Sequence, residues 1–168
     1  MVMKYVFQHY TAVSARLGLV FEDGRIHGAV DGVSLQMWFG AHSVHVGALL
    51  PKPSPVELSI ATKGLIEKLG DLFGGHDGEI GDPAFDAVFS IKAPRSAKIA
   101  ALLDPAARKA LLDLAEAGLH PAVDAHSIHL RRFSNGALSD SEEVIERDLR
   151  EAARLAKVIA DSFVRTQH

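Results

Sequence analysis

The chain has 168 residues, 48% of them hydrophobic and 23% charged, a balance that supports one globular domain with a single buried core and excludes disorder along its whole length. It contains no cysteine, which excludes disulfides and thiolate metal sites and fits a reducing compartment. The formal net charge is −3 and the densest basic feature is Arg131-Arg132, so there is no electrostatic footprint for nucleic acid; with no apolar run of roughly 18 residues and no signal-like N-terminal segment, a soluble, cytoplasmic protein without membrane insertion is expected.

Val6, Tyr10, Val13 and Leu17 recur at helical spacing and Gly18 supplies a stop, which predicts a first helix over 4–17. Three strands follow, over 19–22, 26–30 and 33–39. They are separated by Asp23-Gly24 and Asp31-Gly32, pairs that favour tight hairpin turns because both positions tolerate positive φ. In the third strand Val33, Leu35, Met37 and Phe39 share an apolar face, while Ser34, Gln36 and Trp38 share the wetter one. A fourth strand carries His42, Val44 and Val46 on one side and Ser43 and His45 on the other. A fifth runs over 56–60, after the prolines at 51, 53 and 55.

Leu65, Ile66, Leu69, Leu72 and Phe73 fit a short helix, and 74–82 reads as an exposed connector. Phe85, Ala87, Phe89 and Ile91 alternate as a strand. Ser96 is placed to cap a helical turn, and Asp104-Pro105 caps a helix over 106–117 that Gly118 ends. Two strands are expected over 121–123 and 127–133. The last helix is capped by Ser139 or Ser141 and has Glu142 and Glu143 in its first turn, where the helix dipole favours negative charge. Its stripe of Ile145, Leu149, Ala152, Ala156, Ile159 and Phe163 reads as packed against a sheet, with a coiled-coil seam as the alternative. Glu143–Arg147, Glu146–Arg150 and Asp161–Arg165 are expected as outer pairs. The expected fold class is α+β, an antiparallel sheet with helices mainly on one face.

One word occurs twice. Ala41-His42-Ser43-Val44-His45-Val46 returns 84 residues on as Ala125-His126-Ser127-Ile128-His129-Leu130. Two readings compete, a duplication with halves 1–84 and 85–168 and a coincidence of two similar strands. The similarity fades on both sides of the word, which favours the second.

Chemistry-bearing residues are sparse. The pairs His42/His45 and His126/His129 share a face on a helix but point to opposite faces on a strand, and both segments read as strands. A metal would then need His45 with His129, or His42 with His126, plus a carboxylate from elsewhere. The preferred reading makes His42 and His126 half-buried sheet residues and His45 and His129 solvated ones. Gly74-Gly75-His76-Asp77-Gly78-Glu79 has neither a phosphate-loop nor a calcium-loop spacing. Asp82 and Asp86 could be paired carboxylates for acid–base work, but Asp82-Pro83 reads more simply as a turn opener and Asp86 as the polar member of an alternating strand. Ser34 and Ser43 lack a placed triad partner, and no Gly-x-Ser-x-Gly elbow occurs.

Four segments carry a resemblance: Ala15-Arg16-Leu17-Gly18-Leu19-Val20-Phe21, Ile26-His27-Gly28-Ala29-Val30-Asp31-Gly32-Val33, Gly81-Asp82-Pro83-Ala84-Phe85-Asp86-Ala87-Val88-Phe89, and Leu102-Leu103-Asp104-Pro105 to Leu112. Together they resemble uncharacterised α+β domains of bacterial hypothetical proteins, some of which follow membrane helices. The resemblance implies a fold and no activity, cofactor or catalytic residue. The leading functional expectation is a non-catalytic scaffold or interaction domain with a protein partner or a second copy of itself as a homodimer. Its candidate binding residues are Trp38, Gln36, His45 and His129, with no metal ligands and no cofactor. The alternatives are a small-molecule pocket lined by Met37, Phe39 and Phe163, and a histidine-based metal-dependent hydrolase.

Overall fold

Two Asp-Gly pairs set the first half of the fold. Asp23 and Gly24 adopt φ of 50° and 73°, and Asp31 and Gly32 adopt 50° and 80°, so both hairpins turn through the left-handed conformations their sequences allow. A computed structural model describes residues 2–63, 76–94, 98–134 and 140–165. It contains α1 (Val2–Leu17), β1 (Val20–Glu22), β2 (Arg25–Val30), β3 (Val33–Phe39), β4 (Ser43–Leu49), β5 (Ser59–Thr62) and β6 (His76–Gly78). Then come α2 (Pro83–Val88), β7 (Phe89–Ala93), α3 (Ile99–Leu102), α4 (Pro105–Glu116), β8 (Leu119–Asp124), β9 (Ser127–Phe133) and α5 (Glu142–Arg165).

All described strands join one antiparallel sheet in the order β1-β2-β3-β4-β9-β8-β5-β7-β6. The fold class is therefore the α+β class expected. The core face of the sheet carries Ile26, Val33, Leu35, Met37, Val44, Val46, Ile128 and Leu130, all buried. α5 lies across it, against β2, β3, β4 and β9, and also touches α1 and α4. The whole stripe from Ile145 to Phe163 is buried, which settles the choice in favour of packing on the sheet. Each large side chain buried this way contributes about 1.5–3 kcal/mol of transfer free energy, so this one helix accounts for much of the core.

Charged groups hold α5 in place. Asp148 is 1% exposed and accepts hydrogen bonds from Arg132 Nε at 2.8 Å and from Arg147 Nη2 at 2.8 Å. Arg132, which points from β9 to the core side, also grips Asp140 with both Nη groups at 3.1 and 2.7 Å. Its carboxylate partners raise its pKa although burial alone would lower it. At the far end of α5, Ser162 Oγ donates to Leu102 O at 2.6 Å and accepts from Asp104 N at 2.8 Å.

Several expectations are corrected. Of the three outer pairs, Glu146–Arg150 forms at 2.9 Å. Arg147 instead turns to the buried Asp148, and Arg165 reaches Asp104 at 3.0 Å, because a partly shielded carboxylate is a better partner than a solvated one one turn away. Residues 83–88 are helical, not extended. Asp82 caps them by accepting from Phe85 N at 3.2 Å, Pro83 occupies the first helical position, and Asp86 accepts from Ile80 N and Gly81 N at 3.0 Å each. Local capping outweighs the alternation there, and the strand begins at Phe89. The fifth strand starts at Ser59, later than expected, and 76–78 pair with β7 as an edge strand instead of forming part of a connector. The helix expected over 65–73, Gly74-Gly75, and the candidate caps Ser96 and Ser139 lie outside the described residues; Ser141 accepts from Val144 N at 3.4 Å.

Candidate functional site on the open sheet face

The repeated word lands on β4 and β9, which are neighbours at the centre of the sheet. They pair antiparallel about Val46 opposite Leu130. The local symmetry extends to the flanks, where Leu50 N donates to His126 O at 2.8 Å and Ser134 N donates to His42 O at 3.0 Å. Strand alternation then sends His45 and His129 to the same side, the face away from α5.

On that face a row of side chains runs across four strands in register, Trp38 on β3, His45 on β4, Arg131 on β9 and His120 on β8. The next row holds Gln36, Gly47, His129 and Ala122. His45 Nδ1 and His129 Nε2 are 3.0 Å apart, and their rings are within 11° of parallel with centroids at 5.2 Å, the arrangement of two imidazoles joined edge to edge. The Trp38 ring is parallel to both within 12°, at 5.3 Å from His45 and 5.5 Å from His129. Gly47 makes this possible: a Cβ there would stand 3.3 Å from Trp38 Cζ3.

Burial and the Arg131 charge favour the neutral form of both imidazoles. His129 is pushed down to about 4, first by burial and then by His45 and Arg131; His45 is lowered by burial and by Arg131. Across the row, burial and Arg131 lower His120 as well. The expected assignment of histidines is thus inverted. His42 and His126 are exposed in the bends that open β4 and β9, whereas His45 and His129 are half-buried by the tryptophan laid beside them.

Ser43 Oγ lies 2.8 Å from His45 Nε2, which completes the series Ser43, His45, His129. The order of atoms is that of a nucleophile, a base and a group orienting the base. Its nucleophile end is closed: Ser43 is 6% exposed, and Gly40 packs so tightly on it that a Cβ would come within 2.7 Å of Oγ. What the relay supplies is tautomer control, because each imidazole must donate from one nitrogen and accept at the other. Ser34 is exposed on the same face, with no hydrogen bond to a histidine among the described residues.

Of the four candidate binding residues, Trp38, His45 and His129 come together and Gln36 is exposed in the adjoining row. Arg131 was missed, although it was the one basic feature noted, because its role depends on cross-strand register. Among the described residues no three His, Asp or Glu side chains converge as a metal site. Met37 and Phe163 are buried in the core and Phe39 packs on Tyr10 at 4.3 Å, so the space of the alternative apolar pocket is taken up by packing. A separate depression of about 620 Å³ lies between α2 and α4, bordered by Asp82, Val88, Arg108, Asp113 and Glu116. Arg108 is already held there by Leu103 O at 2.8 Å and Ala100 O at 2.9 Å.

No described helix is long and apolar enough to cross a membrane. No family model matches the chain, and no curated protein is similar enough in sequence to count as a relative. Among solved structures, the crystal structure of the mycobacterial trehalose monomycolate transport factor A, TtfA, is similar with a TM-score of 0.59. The match covers 96% of this chain and 95% of that one at 10% sequence identity, which shows a shared fold.

Proposed function

We propose that this chain is a non-catalytic interaction domain that docks a protein partner on its open sheet face, around Trp38. The observation that carries this reading is the distribution of apolar surface. Of the four exposed large hydrophobic side chains among the described residues, Val20, Leu49 and Phe133 belong to this face, which also bears Trp38. A face that no described helix covers, with an aromatic platform and an arginine, has the composition of a binding hot spot, where Trp and Arg are enriched. The platform is rigid before any partner arrives, since both histidines are tied by hydrogen bonds, so little ordering entropy is spent on docking. The structural neighbour bears the name of a transport factor, a description in keeping with a binding role.

A photo-crosslinking amino acid at the exposed position 36, compared with one at the exposed position 157 on α5, tests this in cells expressing the full chain. Adducts of a defined mass are expected from position 36, absent from position 157 and reduced by Trp38→Ser. Adducts of equal strength from both positions, or from position 157 alone, overturn the reading. Their mass separates a second copy of this chain from a different protein.

A further inference from the structure

Arg131 and Arg132 are neighbours in sequence with opposite fates. Arg132 faces the core and is held by two carboxylates. Arg131 faces the open side, and among the described residues no carboxylate lies within ion-pair distance of it. Its Nε is shielded from solvent and has no acceptor among the described residues. The guanidinium is pinned in place, with Cζ 4.5 Å above the centre of the Phe133 ring, and Phe133 in turn meets His120 edge-on at 5.1 Å. A cation that is oriented, partly dehydrated and unpaired is a receptor for an anion, because its desolvation has been met without compensation.

We propose that Arg131 is the carboxylate-binding point of this face, taking a carboxylate whose apolar body lies along the row toward Trp38. The proposal rests on the reading of the face as a docking surface and specifies the chemistry its partner presents, an acidic side chain or chain terminus next to an apolar group. A carboxylate suits the site better than a phosphate. One planar guanidinium matches a planar monoanion edge to edge, and the other groups in the row are an indole and imidazoles whose charged form burial disfavours, so none supplies a second fixed charge. The span fits too. Trp38 and Arg131 are two strands apart in register, roughly 10 Å at the usual interstrand spacing, a distance that a carboxylate linked to one aromatic ring bridges.

The test uses 4-phenylbutyrate, its neutral amide and inorganic phosphate, each titrated into the full chain at pH 6.5 and low salt. Trp38 is the chain's single tryptophan, so its fluorescence reports this row directly. The acid should produce a saturable change, the amide should bind at least tenfold more weakly, and phosphate should not displace the acid at equal concentration. Arg131→Gln should weaken the acid at least tenfold with the unfolding midpoint unchanged, and Arg131→Lys should recover part of the loss. Binding should also raise the imidazole titrations of His45, His129 and His120, because a nearby anion offsets the Arg131 charge; these three groups with Arg131 are the ionisable members of the two rows on β3, β4, β9 and β8. Equal binding of acid and amide, displacement by phosphate, no saturation, or indifference to Arg131→Gln overturns the proposal. If crosslinks from position 36 persist unchanged in Arg131→Gln, the docking reading stands while the carboxylate site falls.

Discussion

His45 and His129, 84 residues apart in the chain, are joined Nδ1 to Nε2 at 3.0 Å on adjacent central strands, with Arg131 in the same layer. Two neutral rings satisfy this bond, one donating and one accepting. Two imidazolium rings would set N–H against N–H beside a guanidinium.

Acid should therefore loosen the fold in a defined window. His129 has its folded pKa depressed to about 4 from an ordinary value near 6.5, so its contribution is fully present above about pH 6.5 and is lost as pH falls toward 4. After a discount for partial exposure the loss from this residue is about 1–2 kcal/mol. Denaturant titrations between pH 7.5 and 4 should show that drop, and His129→Gln should flatten it. A variant with the same slope as the parent would place the acid sensitivity elsewhere.

Removing the buried carboxylate should cost far more. Asp148→Ala leaves Arg132 without one of its partners under α5, and breaking a buried ion pair on one side destabilises by about 3–5 kcal/mol. Chemical denaturation of the single variant measures this. A loss below ~1 kcal/mol would mean that Asp140 alone satisfies the guanidinium.

The C-terminal helix should be indispensable. Ile159 and Phe163 are 0% and 1% exposed, and truncating each to alanine removes about 2–5 kcal/mol from a total of roughly 5–15. The double variant should unfold or aggregate. A folded protein with an unchanged midpoint in thermal melts would contradict the packing of α5 on the sheet.

Gly47 should control the tryptophan. Gly47→Val places branched carbons where the Trp38 ring lies, since even a single Cβ stands 3.3 Å from Cζ3. The ring must swing off the histidines, at a cost of about 1–3 kcal/mol for local overpacking. Trp38 emission should shift toward the solvated value while far-ultraviolet circular dichroism stays unchanged. An unshifted spectrum would show that the ring is held by something other than this contact.

Much of the fold was legible in the sequence because its signals are local. The Asp-Gly turns, the alternation of β3 and the heptad-like stripe of α5 are each set within a few residues by backbone sterics and by which faces can bury apolar area. Where local signals conflict, as in 83–88, capping by Asp82 and Asp86 prevailed over alternation. The site was legible only in part. Strand alternation marked Trp38 and Gln36 and separated His45 from His42, but it could not say which histidine of each pair would be shielded. That was decided by the pairing of β4 with β9 and by Gly47, which leaves room for an indole over the sheet. The contrast between Arg131 and Arg132 has the same origin. Adjacent residues on a strand point to opposite faces, so one guanidinium meets the carboxylates of α5 and its neighbour meets the open side, a difference that exists only once the helix is laid on one face of the sheet.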